Sequence, residues 1–573
     1  MSREKSGHGQ SNTVNYLYRT MMHIGIVGNG NLDAIASALN DLMPASAVVV
    51  GAPGAYQQEL SQPFGDFLGL DIIIIVLDWR PLTPKLYGYA YGDDPITVHR
   101  EFCNQCNEIL DLIRKFRAQT TSQILVFSPV SDWTGPLGFY SRLLQPSPID
   151  LFLDFQKQFN LLCRSIPLVY PVDLEEIAGL IGRECFYDVP ALSSIDVFSK
   201  RAINGIAKRI RDIAVQLERY PLKCLVLDCD DTLWGGIVGE DGFDHVKLGT
   251  EGVGRAYYNF QAEIVRLYKQ GVLLVLCSKN NTCDVLDIME RHESMLIRPS
   301  MIACFRVNWD DKPASIASAA AELNIGLDSM MFIDDNPAER ALIRSALPQV
   351  TVFDLPGDPF LYAFAIKMCS RFWPVELTHD DTQRNTQYAV NKIRSAAAAQ
   401  TANVEAFLAQ SDITVTMACA SAETLPRIVQ LINKTNQFTL TGSRISLTEL
   451  ESKIRLKGNC CFCMSMVDNY GDYGIMAAAL ILQGTLDIFV VSCRAFGKQA
   501  EKTFLLYLMA FVKKQGLKKI SGRFIAAPRN SMVNDFYHKN GFVQTAGSGD
   551  EVLWEYDLTI PLPAPVSWIT VVS

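Results

Sequence analysis

The sequence has neither an excess of positive charge nor a long apolar run. Its 573 residues include 52 Lys and Arg against 61 Asp and Glu, which gives a net charge of −9. Because binding to a phosphate backbone needs a basic surface, we do not expect a nucleic-acid partner. The apolar run at residues 72–77 is far too short to span a bilayer, and its β-branched residues indicate a central strand buried on both faces. We therefore expect neither nucleic acid nor a membrane as a partner.

The sequence also lacks the marks of a secreted protein. Residues 1–20 are polar and contain no apolar segment, so we expect no signal peptide and interpret residues 1–21 as a flexible leader. The 15 cysteines do not form the dense framework of a small secreted domain. Free thiols in a reducing, cytoplasmic compartment are the expected state.

Length and segment pattern predict a multidomain α/β protein. A chain of 573 residues corresponds to about three or four domains. Strand-like and helical stretches alternate over residues 22–215 and again over residues 216–375, which is typical of parallel sheets covered by helices. Residues 376–400, polar and then alanine-rich, indicate a helical connector, and residues 401–573 a third, mixed α/β domain.

The strongest chemical signal is a group of acidic residues at the end of an apolar strand. Residues 224–227 are apolar and are followed by Asp228, Cys229, Asp230 and Asp231. In open α/β sheets ligands bind at the carboxyl ends of strands. Clustered carboxylates there repel one another unless a cation binds, and oxygen ligands suit Mg²⁺. The sequence therefore predicts a magnesium site, with a solvated acidic turn as the alternative.

Three later segments carry polar residues at similar places. They contain Ser278 after a second strand, Lys312 in a Trp-Asp-Asp-Lys-Pro run, and the pair Asp334 and Asp335 after a third strand. In this order the segments resemble the four motifs of the haloacid dehalogenase (HAD) superfamily, which implies a Rossmann-like catalytic domain. About fifty residues separate Asp228 from Ser278 and about 34 separate Ser278 from Lys312, which leaves no room for a large cap domain. An open site suits a substrate carried on a macromolecule, or a partner domain that acts as the lid.

The resemblance to the HAD superfamily implies a role for each motif residue. Asp228 would be the nucleophile that forms an aspartyl-phosphate, and Asp230 would be the general acid/base. Ser278 would hydrogen-bond to the phosphoryl group and Lys312 would neutralise its charge. These roles match the needs of phosphoryl transfer, which are an in-line nucleophile and charge stabilisation. The expected magnesium ligands are Asp228, Asp230, Asp334 and Asp335, and the expected substrate-binding residues of this domain are Thr232, Trp234, Lys279 and Asn280.

A closer resemblance is carried by residues 228–242, 431–441 and 492–497. Through these segments the chain resembles the FkbH-like family over roughly residues 170–560. The resemblance implies an enzyme that takes 1,3-bisphosphoglycerate, removes phosphate and holds glycerate as a thioester on a cysteine. The acyl group would then pass to the phosphopantetheine thiol of an acyl carrier protein in polyketide biosynthesis. One departure is Asp231, where the family usually has Asn.

The resemblance favours Cys229 as the acyl-bearing residue, because this cysteine stands between the two catalytic aspartates. Two physical arguments oppose it. Flanking carboxylates raise the pKa of a thiol, and period-two alternation places Cys229 on the opposite side from Asp228. A small buried cysteine with no chemical role is the alternative, and Cys277 and Cys493 are weaker candidates.

The two flanking domains carry further resemblances. Residues 401–573 resemble a GNAT-like acyltransferase, although Gln499 stands where its pyrophosphate loop has a small residue. We expect this domain to dock the carrier's pantetheine arm, with Asn436 and Arg494 binding substrate; a purely structural domain is the alternative. The polar run around Asn436 is expected to line a site, or else to be a polar helix end. Residues 22–215 resemble an SGNH hydrolase without its serine nucleophile, so we predict a non-catalytic domain.

The sequence therefore predicts a Mg²⁺-dependent glyceryl transferase/phosphatase. Its expected partners are a phosphorylated C3 metabolite and an acyl carrier protein. One alternative is a plain HAD-type small-molecule phosphatase in which Cys229 is inert, and the other is a non-catalytic assembly-line scaffold. The intact motif residues argue against the scaffold, and the absent cap and the GNAT-like domain argue against the plain phosphatase.

Overall fold

The computed structural model describes most of residues 22–572. The predicted leader at 1–21 lies outside the described residues, as do positions 63–66, 68, 89–91, 121, 132–137, 188–197, 219–221, 375–378, 387, 389–407, 436–437, 470, 493–494, 496–497, 528–529, 549–550 and 573. The chain forms two compact units, Met1–Val215 and Gln216–Ser573. The finer division of the second unit into a catalytic domain, a connector and a C-terminal domain stays a prediction.

The first unit is built on a parallel sheet with helices packed against it. Its elements are β1 (His23–Gly28), α1 (Asp33–Leu42), β2 (Ala47–Val50), α2 (Tyr56–Ser61), β3 (Ile72–Val76), α3 (Pro84–Tyr87), α4 (Pro95–Arg117), β4 (Gln123–Phe127), α5 (Pro148–Arg164), β5 (Val169–Val172), α6 (Leu174–Ile181) and α7 (Lys200–Glu218), whose end passes the unit boundary. The strand order is β2-β1-β3-β4-β5. Strand β3 is central and buried along its whole length, which confirms the expectation from its β-branched sequence. Asp94 and Ser147 cap α4 and α5, and each is followed by a proline at the first helical position.

The second unit begins with another five-stranded parallel sheet. Its elements are β6 (Cys224–Leu227), α8 (Val238–Asp241), α9 (Gly254–Lys269), β7 (Leu273–Ser278), α10 (Thr282–Arg291), β8 (Ile302–Val307), α11 (Lys312–Leu323), β9 (Met330–Asp334), α12 (Pro337–Ala346), β10 (Thr351–Asp354) and α13 (Tyr362–Lys367). The strand order is β10-β9-β6-β7-β8, so β6 lies in the centre between β9 and β7. Residues 222–374 are described without a gap, and no large cap domain interrupts them, as the motif spacing predicts.

A short helix, α14 (His379–Thr382), begins the described part of the predicted connector. The residues after it bind the turn between α9 and β7. Arg384 Nη1 donates a hydrogen bond to the carbonyl oxygen of Gly271 at 2.8 Å, and Asn385 Nδ2 donates to that of Tyr268 at 2.5 Å. Gly271 has φ +87°, and a Cβ there would lie 1.7 Å from the carbonyl oxygen of Asp381. The close packing therefore requires glycine at position 271.

The C-terminal part of the second unit contains an eight-stranded mixed sheet. Its elements are β11 (Ile413–Cys419), α15 (Leu425–Lys434), α16 (Leu447–Ile454), β12 (Asn459–Asp468), β13 (Gly471–Leu482), β14 (Thr485–Val491), α17 (Ala500–Lys514), β15 (Lys519–Ile525), α18 (Phe536–Lys539), β16 (Val543–Ser548), β17 (Glu551–Asp557) and β18 (Ile569–Val572). The strand order is β16-β17-β15-β14-β13-β12-β11-β18. The β14–β15 and β11–β18 pairs are parallel and the other pairs are antiparallel. The fold class is therefore α/β throughout, with two parallel sheets and one mixed sheet.

Two further findings concern the described residues. Each described cysteine is a free thiol. None of the described helices combines the length and the apolarity that crossing a membrane requires.

Candidate functional site

Three neighbouring strands of the parallel sheet in the second unit bring the predicted acidic and polar residues to one edge of that sheet. Asp228 follows β6 directly, and β6 pairs with β7 on one side and with β9 on the other. Ser278 is the last residue of β7, and Asp334 is the last residue of β9. Because parallel neighbours end at the same edge, residues that are far apart in the chain meet there.

Lys312, the first residue of α11, supplies the cation of this site. Its ammonium nitrogen donates hydrogen bonds to Asp228 Oδ1 at 2.9 Å and to Asp334 Oδ2 at 2.5 Å, and all three side chains are buried. Burial raises the pKa of Asp228 to about 7, with the Lys312 ammonium opposing the shift and Asp334 adding to it. Burial acts to lower the pKa of Lys312, but the two carboxylates outweigh it and raise that pKa above its usual value. The lysine therefore stays charged.

Asp228, Asp334 and Asp335 offer a set of oxygen ligands. One carboxylate oxygen from each residue lies within 4.8 Å of the others. The pKa of Asp335 is raised, first by burial and then by the nearby carboxylates of Asp334 and Asp231, so negative charge is crowded at this point. A donor set made of oxygen atoms only, with excess negative charge, fits a hard divalent cation such as Mg²⁺.

Asp230 lies outside this group of ligand oxygens. Its Oδ1 accepts hydrogen bonds from Trp234 Nε1 at 2.9 Å and from the backbone N–H of Val238 at 3.2 Å, and its Oδ2 accepts one from Asn280 Nδ2 at 2.9 Å. Asn280 also donates to Ser278 Oγ at 3.1 Å. The expectation that Asp230 is a metal ligand stays a prediction. A fixed carboxylate beside the nucleophile suits the predicted acid/base role.

Thr232, Trp234 and Asn280, which are expected to bind substrate, make hydrogen bonds to the acidic residues, and their role in substrate binding stays a prediction. Thr232 is fully buried, and its Oγ1 accepts the backbone N–H of Asp335 at 3.1 Å. Trp234 is also fully buried, and together with Asn280 it orients Asp230. Their side chains face inward, which the local sequence alone does not show.

Cys229 has no exposed surface and packs in the core with Leu225 and Leu227. The alternation expected from the sequence therefore continues past the end of β6, and Cys229 lies on the face of those leucines. Burial raises the pKa of its thiol well above the usual value, and the Asp228 carboxylate raises it further. Cys277 is buried too, with a pKa raised by burial to about 12, and Cys493 lies outside the described residues. The identity of an acyl-bearing cysteine stays a prediction.

Sequence reasoning missed two residues at the start of α12. Glu339 accepts a hydrogen bond from Lys279 Nζ at 2.8 Å. Arg340 Nη1 donates to the carbonyl oxygens of Asp334 at 2.7 Å and Asp335 at 2.6 Å, which anchors the acidic pair. The available signal was their position in the first turns of a helix that follows the end of a strand.

The turn after β6 explains how aspartate fits at position 231, where the FkbH-like family usually has Asn. This residue has a left-handed backbone conformation, with φ 48°, and its Oδ1 accepts the backbone N–H of Gly236 at 2.8 Å. Asn and Asp tolerate that conformation better than other residues with a side chain. Asp231 therefore keeps the turn that Asn would form.

The predicted substrate-binding residues of the C-terminal domain, Asn436 and Arg494, lie outside the described residues. Residues just before Asn436 have structural contacts. Asn433 accepts the backbone N–H of Ile445 at 2.9 Å and donates to its carbonyl oxygen at 2.8 Å, while Lys434 pairs with the connector. These contacts favour a polar helix end over a site-lining segment.

In the first unit, Asn29 joins the ends of β1 and β3. Its side chain donates to the carbonyl oxygen of Asp78 at 2.8 Å and accepts the backbone N–H of Asp78 at 2.7 Å. The strand order reverses between β1 and β3, where open α/β sheets usually bind ligands. Asn29 is thus engaged with backbone groups there, and the non-catalytic role of this domain stays a prediction.

One solved structure is similar to more than half of the chain. The chain is similar to the N-terminal part of the protein BF1531 from Bacteroides fragilis, which contains a phosphatase domain and was solved complexed with Mg. The identity is 25%, the match covers 62% of this chain and 95% of that chain, and the TM-score is 0.54. The site geometry and this similarity both fit the interpretation of the domain around β6 as a HAD-type phosphatase.

Two further solved structures are similar over smaller parts of the chain. One is the ribosomal-protein-S18-alanine N-acetyltransferase from Escherichia coli, with 14% identity over 26% of this chain and 96% of that chain and a TM-score of 0.21. The other is the lipase Lip_vut3 from a goat rumen metagenome, with 15% identity over 34% of this chain and 96% of that chain and a TM-score of 0.26. No protein-family model and no curated protein matches the chain.

Proposed function

We propose that this protein is a Mg²⁺-dependent phosphatase of the HAD type that couples phosphate removal to acyl transfer. The observation that carries the proposal is the convergence of Asp228 and Asp334 at the ends of parallel strands, where Lys312 from the start of α11 is bonded to both carboxylates. The Bacteroides fragilis neighbour, with its phosphatase domain and its Mg, supports it.

The chain's own residues suit the two half-reactions of phosphate removal. Asp228 attacks the phosphorus atom, and the bond to the leaving oxygen breaks while Asp230 gives that oxygen a proton. Asp230 then takes a proton from the water that attacks the aspartyl-phosphate, which releases phosphate and restores Asp228. Lys312 and Ser278 hold the phosphoryl oxygens. Asp228, Asp334 and Asp335 would hold the Mg²⁺, which neutralises phosphoryl charge when bound.

The finer proposal is a glyceryl transferase. A cysteine thiolate attacks the carbonyl carbon of 1,3-bisphosphoglycerate and expels the 1-phosphate, which leaves a 3-phosphoglyceryl thioester. The Asp228-dependent hydrolysis described above removes the 3-phosphate, so that a glyceryl thioester remains. The phosphopantetheine thiol of an acyl carrier protein then attacks that thioester and returns the cysteine. The resemblance to the FkbH-like family over roughly residues 170–560 supports this step, and the uncapped site is compatible with a substrate held on a carrier.

A plain phosphatase is the second candidate, because one observation favours it. Cys229 has no exposed surface, and its thiol pKa is raised by burial and by Asp228. Both features oppose thiolate chemistry unless the turn after β6 opens. The glyceryl transferase and the plain phosphatase both release inorganic phosphate. They differ in whether the enzyme or the carrier keeps an acyl group.

Intact-mass spectrometry separates these candidates. The enzyme is incubated with phosphopantetheinylated carrier protein, 1,3-bisphosphoglycerate and Mg²⁺, while phosphate release is recorded in parallel. We expect the carrier to gain the mass of a glyceryl group, and the Asp228→Asn variant to release little phosphate. Phosphate release with no mass gain on carrier or enzyme would leave the plain phosphatase, and the absence of both would contradict the proposal.

A further inference from the structure

An ion pair joins the residue that follows β7 to the first turn of α12. Lys279 follows β7, and Glu339 is the third residue of α12, the helix after β9. Their charged groups lie 2.8 Å apart. Because β7 and β9 flank β6 on opposite sides, the pair joins the two sides of the edge that carries Asp228.

The Glu339 carboxylate is only partly satisfied by its surroundings. Its Oε1 accepts the hydrogen bond from Lys279, whereas its Oε2 is buried and accepts none from any described group. A buried acceptor without a partner is unfavourable. The lysine side chain is 39% exposed and that of Glu339 is 15% exposed, so the lysine end of the pair is open to water and to ligands. A competing anion can therefore replace Glu339 as the partner of Lys279.

The neighbouring cation cannot serve a second anionic group. Lys312 is buried and already bonded to Asp228 and Asp334. Lys279 is more exposed and lies at the same edge of the sheet, one residue after Ser278. An ammonium group on a flexible stem binds carboxylate or phosphate as a point charge.

We propose that Lys279 binds a second anionic group of the substrate and that Glu339 competes with that group for the lysine. The inference rests on the proposed function, which assigns the transferred phosphoryl group to Asp228, Ser278 and Lys312. The substrate class is a small phosphorylated metabolite with an anionic group at its other end. Glu339 makes the site selective, because a ligand without the second anion leaves the Lys279–Glu339 pair unchanged.

The test compares the binding of two ligands to the full chain with Mg²⁺ by titration calorimetry. 3-Phosphoglycerate carries a phosphate and a carboxylate, whereas glycerol 3-phosphate carries the phosphate alone. We expect Glu339→Gln to tighten 3-phosphoglycerate binding about two- to five-fold, the range that an exposed ion pair allows, and to leave glycerol 3-phosphate unchanged. Lys279→Gln should weaken only 3-phosphoglycerate, and the double variant should lose the gain of Glu339→Gln.

Glu322→Gln is the matched control, because it removes the same charge from a pair elsewhere in the domain. Glu322 pairs with Arg306 at 2.7 Å and lies ten residues after Lys312 in α11, which is about 15 Å along the helix. Equal tightening of both ligands by Glu339→Gln, a gain that survives in the double variant, or the same gain from Glu322→Gln would overturn the inference. If Glu339→Gln does not fold, unchanged 3-phosphoglycerate binding by Lys279→Gln overturns it.

Binding also separates this inference from the proposed function. If the ligand contrast holds and no variant or wild-type protein releases phosphate, the anion site stands and the phosphatase proposal fails. If phosphate is released and the contrast is absent, the phosphatase proposal stands and the second anion site fails. If neither ligand binds, both fail.

Discussion

The ammonium group of Lys312 lies 2.9 Å from the carboxylate of Asp228, although the two residues are 84 positions apart in the chain. The same nitrogen lies 2.5 Å from Asp334. One buried cation thus holds two buried carboxylates from neighbouring strands in a fixed geometry. The arrangement links the stability of the domain to its chemistry, because the group that balances the acidic site is also a predicted partner of the phosphoryl oxygens.

Replacing Lys312 by Met should destabilise the second unit. Removal of one partner leaves Asp228 and Asp334 buried together without their cation, which costs about 3–5 kcal/mol in comparable buried pairs. Urea unfolding in EDTA measures the free energy of unfolding, and added Mg²⁺ should restore part of the loss. Lys279→Met is the comparison, since its pair is partly exposed and its loss should cost at most about 1 kcal/mol. Equal losses for the two variants would contradict the central role of Lys312.

Asp228→Asn should abolish phosphate release while the protein stays folded. The amide keeps the shape of the side chain but cannot act as the carboxylate nucleophile, so we expect turnover to fall by about three orders of magnitude or more. Chelation by EDTA should stop the wild-type enzyme, and Mg²⁺ should restore it. Release of phosphate at the wild-type rate by a folded Asp228→Asn protein would exclude this residue as the nucleophile.

Thiol labelling should reveal whether Cys229 ever becomes accessible. Cys283 and Cys419 are exposed, whereas Cys229 is fully buried with a raised thiol pKa. Iodoacetamide should therefore label the two exposed cysteines first in the free enzyme. Peptide mass spectrometry measures the order of labelling. Rapid labelling of Cys229 in the folded protein would show that the turn after β6 opens.

Cys229→Ala distinguishes the glyceryl transferase from the plain phosphatase. If Cys229 carries the acyl group, the wild-type enzyme given substrate without carrier should gain a hydroxylamine-sensitive mass, and the variant should not. Alanine disturbs neither the carboxylates nor Lys312, so phosphate release should persist. The cavity left by one sulfur in the core should cost only about 1 kcal/mol. Normal loading of the carrier by Cys229→Ala would redirect attention to Cys277 and Cys493.

Gly271→Ala should displace the connector from the turn between α9 and β7. The added Cβ would lie 1.7 Å from the carbonyl oxygen of Asp381, and the backbone φ of +87° disfavours alanine as well. We expect a loss of several kcal/mol in the free energy of unfolding. Gly516→Ala is the control, because its φ is +86° and no atom lies within 4 Å of the added Cβ. The difference between the two variants measures the clash with the connector separately from backbone strain.

Some of the site could be predicted from local pattern. The apolar run before Asp228 and the buried strand at 72–76 both carry signals within a few residues, and the structure confirms these elements. Thr232 and Trp234, two expected substrate-binding residues, show where local pattern stops. Their contacts with Asp335 and Asp230 depend on how the turn folds back, which no local period records.

The sequence by itself determined that strands end in acids, which residue types are present for phosphoryl chemistry, and that no long insertion covers the site. Only the tertiary structure decided that β9, β6 and β7 are neighbours, so that Asp334, Asp228 and Ser278 meet at one edge. It also decided that Glu339 pairs with Lys279. The physical reason is range: periodicity and turn chemistry act over a few residues, whereas strand order is set by packing across the whole sheet.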